Sequence, residues 1–135
     1  MGTDTRWILL YTKPRAEAWV EINLRKDGFT TLLPRVRQRT GFAALFPRYL
    51  LAVSPDDDVV ASLPGSVGIL YVVHRGESPA EVPDDVVAEL RGRMDARGII
   101  TLDPSPSADS LFAPSRRARV RALLRRARAD VPSVA

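Results

Sequence analysis

The stretch ALFPRYLLAV (residues 44–53) decides how this chain is read. Leu45, Phe46, Tyr49, Leu50, Leu51 and Val53 are apolar, and aromatic and branched side chains suit a pleated surface. Pro47 and Arg48 interrupt the run. A proline cannot donate to a strand ladder, so it belongs at a strand start, an edge or a bulge. Two expectations follow. The stretch is a core strand with a proline at its mouth, or a strand whose outer face presents Tyr49 and Leu51 to a partner.

Working outward, RWILLYT (6–12) is apolar at consecutive positions, as in a central strand covered on both faces. Pro14 to Lys26 has helical spacing, with Ala16, Val20 and Leu24 four apart and Trp19 and Ile22 on neighbouring rows. Gly28 follows as a stop. FTTLLPRV (29–36) reads as a strand and RQRTGFA (37–43) as a basic hairpin loop. Ser54-Pro55-Asp56 starts a short helix through Leu63; the acids 56–58 suit a helix start better than a metal site, because consecutive helical residues diverge. VGILYVV (67–73) is a strand, HRGESPAEV (74–82) a loop, Pro83 to Arg97 a helix and IITLD (99–103) a short strand. This order predicts an α+β split βαβ sandwich over residues 1–103, with a four-stranded, mostly antiparallel sheet. Residues 104–114 are Pro/Ser-rich and read as a linker. Residues 115–135 read as an Arg-rich C-terminal helix, N-capped by Ser115, with Val120, Leu123, Leu124 and Ala127 on one apolar stripe.

Composition narrows the function. The 135 residues contain no cysteine and one histidine, His74. Disulfides and thiolate metal sites are thereby excluded, and a histidine-based relay would rest on a single residue. Neither a phosphate-binding loop nor a dinucleotide fingerprint is present, so neither an enzyme nor a cofactor is expected. The N-terminus lacks the apolar core of a signal peptide, and no run reaches membrane-spanning length; a cytoplasmic monomer is expected. Charge is segregated: residues 1–55 carry nine basic and four acidic groups, residues 56–103 four and ten, and residues 104–135 seven and two. Such a layout implies differently charged faces. Lys13, Arg15, Arg25 and Lys26 lie on or beside the first helix with Trp19 among them. Cations with an exposed ring suit single-stranded nucleic acid; a core Trp19 beneath a solvated basic face is the alternative.

The segments RWILLYTKPRAEAWVEINLRKDGFTTLLPRV, LFPRYLLAV and VGILYVVHRGESPAEVPDDVVAEL together resemble the N-terminal (NGN) domain of the NusG/RfaH family of transcription elongation and antitermination factors, over residues 6–91. The resemblance implies a factor that binds bacterial RNA polymerase and suppresses pausing. Its apolar patch would grip the clamp helices of the largest subunit through Tyr11, Phe46, Tyr49, Leu51, Val87 and Leu90. The first-helix face, here Lys13, Arg15, Trp19, Asn23 and Lys26, would meet the non-template DNA strand of the transcription bubble. A contact with the opposite polymerase lobe would fall near Val59-Val60-Ala61. The C-terminal helix would be the reduced remnant of a KOW domain, docked through Val120, Leu123, Leu124 and Ala127 so as to mask the patch. The alternative is a free-standing nucleic-acid-binding module of ferredoxin-like fold.

Overall fold

The computed structural model describes residues 6–54, 60, 63, 66–104 and 110–129. The expected acidic helix and the 59–61 contact fall largely outside them. The centre is β1 (Trp7–Thr12). One edge pairs antiparallel with β5 (Tyr49–Val53), and β2 (Thr30–Leu32) pairs beyond β5. The other edge pairs with β6 (Ile69–Val72) and, at its start, with β9 (Glu81–Val82). The main sheet therefore has five strands rather than four, in the order β2-β5-β1-β6, with β9 added on β1.

The two-residue period of β1 and β5 sorts their apolar side chains into two cores. Ile8, Leu10, Leu50 and Ala52 join Val20 and Leu24 of α1 (Glu17–Lys26), together with Phe29 and Leu33. Trp7, Leu9, Tyr49 and Leu51 point the other way. There they meet Val86, Val87 and Leu90 of α2 (Asp84–Arg93). Ala122 and Leu123 of α3 (Arg116–Arg126) belong to the same cluster.

A second sheet of three strands, which brings Val36 and Ile100 into the same cluster, flanks the first. β3 (Arg35–Gln38) and β4 (Gly41–Ala44) form a tight hairpin with Gln38 opposite Gly41, so most of the stretch expected to be loop is strand. Pro34 divides the predicted strand 29–36 between the two sheets. β10 (Ile99–Ile100) adds parallel to β3. The expected loop 74–82 likewise contains a small hairpin of β7 (His74–Arg75) and β8 (Ser78–Pro79) before β9.

The opening stretch is not one strand. The Tyr49 amide donates to the Phe46 carbonyl at 2.9 Å, closing a turn over Pro47 and Arg48. Arg48 has φ +74°, the left-handed value that the third position of a proline-led type II turn requires. β5 starts only at Tyr49. Arg15 has φ +62°, which breaks the helical path, so Pro14 precedes α1 instead of opening it.

Candidate functional site

All six residues expected on a polymerase-facing patch lie on one side of the main sheet. Phe46, Tyr49, Leu51, Val87 and Leu90 are buried in a single cluster, and half-buried Tyr11 packs against it. The expectation that Tyr49 and Leu51 face outward is overturned, since their exposures are 9% and 0%. The cluster that holds them includes residues from the C-terminal part of the chain. Leu111, Phe112, Ala122, Leu123 and Ala127 are buried in the same cluster, with Val120 and Leu124 packed at its margin. All four residues of the predicted stripe thus lie in or against this cluster.

Part of the aromatic surface stays open. Tyr11 lies between Tyr49 and Tyr71, with centroid distances of 5.1 and 4.8 Å, and the Tyr11–Tyr71 pair is stacked. The Arg48 guanidinium sits 4.4 Å from the Tyr11 ring centroid, held by a 3.0 Å bond from Nε to the Thr12 carbonyl. Burial, then Tyr71 and Tyr11, push the Tyr49 phenol up to about 12, against a lowering by Arg48. Tyr71, 39% exposed, is raised mainly by burial.

Three polar devices fasten the cover. Ser115 caps α3, its Oγ accepting from the Ala118 amide at 3.2 Å. Arg126 spans from α3 to Asp85 at 3.3 Å and Glu89 at 3.7 Å on α2. Arg119 is only 2% exposed. Its Nε donates to the Leu45 carbonyl at 2.8 Å, and its Nη1 donates to those of Ala113 and Pro114 at 2.8 and 2.9 Å. Desolvation, then Arg116, lowers its pKa. Nothing in an Arg-rich helix distinguishes Arg119 from its neighbours, so sequence reasoning missed it. Leu111 and Phe112, in the stretch expected to be a linker, did carry a signal: an apolar pair amid small polar residues. Phe112 is 1% exposed, with the Arg93 guanidinium 4.1 Å from its ring centroid.

The first-helix set is divided. Trp19 is 49% exposed, so the core reading of that residue fails. It lines a cleft of about 270 Å³ with Asn23 and Val67, and Asn23 Nδ2 donates to the Trp19 carbonyl at 3.1 Å. Gly68 (φ +89°) permits this packing, because a Cβ there would lie 2.6 Å from Val20 Cγ2. Lys13 and Lys26 are exposed, whereas Arg15 lines a different cleft with Arg48. Arg25 is drawn to Glu21 at 3.2 Å and to Thr31 at 2.7 Å.

An antiparallel sheet with α1 on one side and an aromatic-rich face on the other defines an NGN-type α+β domain. A family model described as transcription termination factor NusG matches residues 5–91, more than half of the chain. The chain belongs to the NusG family of transcription elongation and termination-related factors, which act without catalysing a reaction and interact with RNA polymerase. No curated protein matches the chain. Among the described residues no helix is long and apolar enough to cross a membrane.

Proposed function

We propose that this protein binds the clamp helices of RNA polymerase through Tyr11, Phe46, Tyr49, Leu51, Val87 and Leu90, and suppresses pausing beside the non-template DNA strand. The α3 segment is the cover that withdraws to admit the clamp, and it is a reduced remnant of a KOW domain. The observation that carries this reading is the convergence of those six residues in one apolar cluster closed partly by a chain-terminal segment. Buried aromatics are efficient anchors once a helical tip replaces the cover. The exposed Trp19, with Lys13, Asn23 and Lys26 on or beside the same helix, supports a contact with the displaced strand: charge for phosphate and a ring for a base.

Binding of the full chain to its cognate core RNA polymerase tests the reading. Tyr49→Ala should weaken binding by at least about tenfold, or 1.4 kcal/mol. Leu123→Glu with Leu124→Glu should strengthen it by removing the cover. Raising the salt should change the affinity little, since the patch is apolar. If Tyr49→Ala binds as well as the unaltered chain, the clamp assignment is wrong. If the double Glu variant gains no affinity, α3 is not a mask.

A further inference from the structure

The geometry points to a second nucleic-acid site, in the cleft between the β3–β4 hairpin, the approach to α1 and the start of α3, where a single strand would lay its phosphates on arginines and a base on Phe42. This site lies apart from the Trp19 face and borders the polymerase patch, whose Tyr11 and Tyr49 line the hollow that adjoins it. The cleft has a volume of about 660 Å³ and is lined by Arg15, Arg35, Arg48 and Arg116, with Gln38 and Phe42. One carboxylate, that of Glu17, lies among them, and it already accepts the Arg48 backbone amide at 2.7 Å. Among the described residues Arg15, Arg35 and Arg116 make no ion pair.

Three further observations favour a ligand here. Phe42 is 48% exposed at the hairpin, with the Arg37 guanidinium 5.8 Å from its ring centroid. Arg15 and Arg48 both hold positive φ, +62° and +74°. Each is the third residue of a proline-led turn, closed by the Ala16 amide on the Lys13 carbonyl at 3.1 Å and by the Tyr49 amide on the Phe46 carbonyl at 2.9 Å, and the two turns set both arginines at one cleft. The cleft also runs on: Pro47, Arg48 and Arg116 line an adjoining hollow of about 580 Å³ that adds Arg117 together with Tyr11, Tyr49 and Val120. The whole is a basic channel with a stacking ring at one end, the form a non-sequence-specific single-strand site takes. A duplex would not offer an unstacked base to Phe42. An acidic peptide would meet the arginines but gain little from the ring.

Arg116 is the first residue of α3, so the channel is complete only while α3 is docked. A strand bound there therefore holds the cover in place, because a ligand shifts an equilibrium toward the state it binds better.

The test uses the full chain carrying Trp19→Ala and Lys26→Ala, two exposed changes that blunt the α1 face. In this background the channel and that face fail separately, and the result does not depend on polymerase binding. Labelled single-stranded DNA and RNA of about twelve nucleotides serve as probes, a length within the range of known single-strand sites. With four arginines each on a phosphate, affinity should fall about 50-fold between about 50 and 200 mM salt, against about 7-fold once Arg35→Gln and Arg116→Gln are added. Phe42→Leu should weaken binding about fivefold or more by loss of stacking. Preference for RNA over DNA would identify a contact with the 2′-hydroxyl, and equal binding would identify phosphate and base alone; both support the site. Bound oligonucleotide should also slow amide exchange in α3. The proposal is overturned if the background chain does not bind at low salt. It is equally overturned if the arginine pair leaves the salt dependence unchanged, or if polyglutamate competes as well as the oligonucleotide.

Discussion

On one face of the main sheet α1 covers Ile8, Leu10, Leu50 and Ala52; on the other, α2 shares the covering of Leu9, Tyr49 and Leu51 with Leu111, Phe112 and α3. The first cover follows β1 within a few residues. The second reaches back across the chain, as the 74-residue separation between Arg119 and Leu45 shows. α1 lies inside the 5–91 match to the NusG family and α3 lies beyond it. α3 contributes no strand pairing, so it can leave without breaking a sheet hydrogen bond, whereas α1 is linked directly to β1 and β2. Similar apolar burial on the two faces thus has different consequences. On the proposed reading, the first cover leaves only with global unfolding and the second opens locally, as a switching element must.

The sharpest way to break this comparison is to cut equivalent leucines. Leu24→Ala on α1 and Leu123→Ala on α3 each remove a buried side chain, 3% and 0% exposed, at a cost of about 2–5 kcal/mol. Leu24→Ala should accelerate exchange of the most protected β1 and β5 amides along with everything else. Leu123→Ala should accelerate exchange in α3 and leave β1 nearly as protected as before. Equal loss of β1 protection in both variants would make α3 an integral layer.

Arg119→Met comes next. Three carbonyls lose a charged donor, while most of the side-chain volume is kept. A hydrogen bond to a charged group is worth about 1.5–3 kcal/mol, and an unsatisfied buried carbonyl is costly. Partial access of water on opening limits the sum, so a loss of about 2–4 kcal/mol confined to α3 docking is expected. Exchange of the α3 amides measures it, and Arg119→Lys, which keeps the charge but not the planar fork, should recover only part of it.

The third effect shows itself only at high pH. Tyr49 holds its proton more tightly in the folded protein, up to about 12, than in the unfolded chain, near 10. Its contribution to stability is therefore fully present below about pH 10 and is lost as the pH rises through about 12. Ultraviolet titration of the three tyrosines, Tyr11, Tyr49 and Tyr71, should show one ionising near pH 12. In Leu123→Glu that step should move back toward 10, because removal of the cover rehydrates the phenol. An unmoved step would mean that the strands, not α3, bury Tyr49.

Local rules made much of this legible. The strand character of β1 and β5, the spans of α1 and α2 to within a few residues, the Ser115 cap and the α3 stripe all rest on interactions within one element, and periodicity reports those directly. The misreadings share a cause. In ALFPRYLLAV, Pro47 interrupts the apolar run, but whether it starts a strand or leads a turn is set by Arg48 adopting φ +74°, a conformation unusual for a residue with a side chain. The hairpin of β3 and β4 was obscured by its basic residues, which a solvent-facing strand accepts as readily as a loop.

By itself the sequence determined the order of the three described helices and of β1, β2, β5 and β6, together with the apolar stripes, because these follow from backbone periods of 2 and 3.6 residues acting on nearest neighbours. Only the tertiary structure decided which stripe met which face. It brought Leu123 and Phe112 into one cluster with Tyr49 and Leu51, buried Arg119 among carbonyls, and gathered Arg15, Arg35, Arg48 and Arg116 around one cleft. Those pairings depend on shape and on groups left unsatisfied when distant segments meet, and neither quantity exists until the chain has folded.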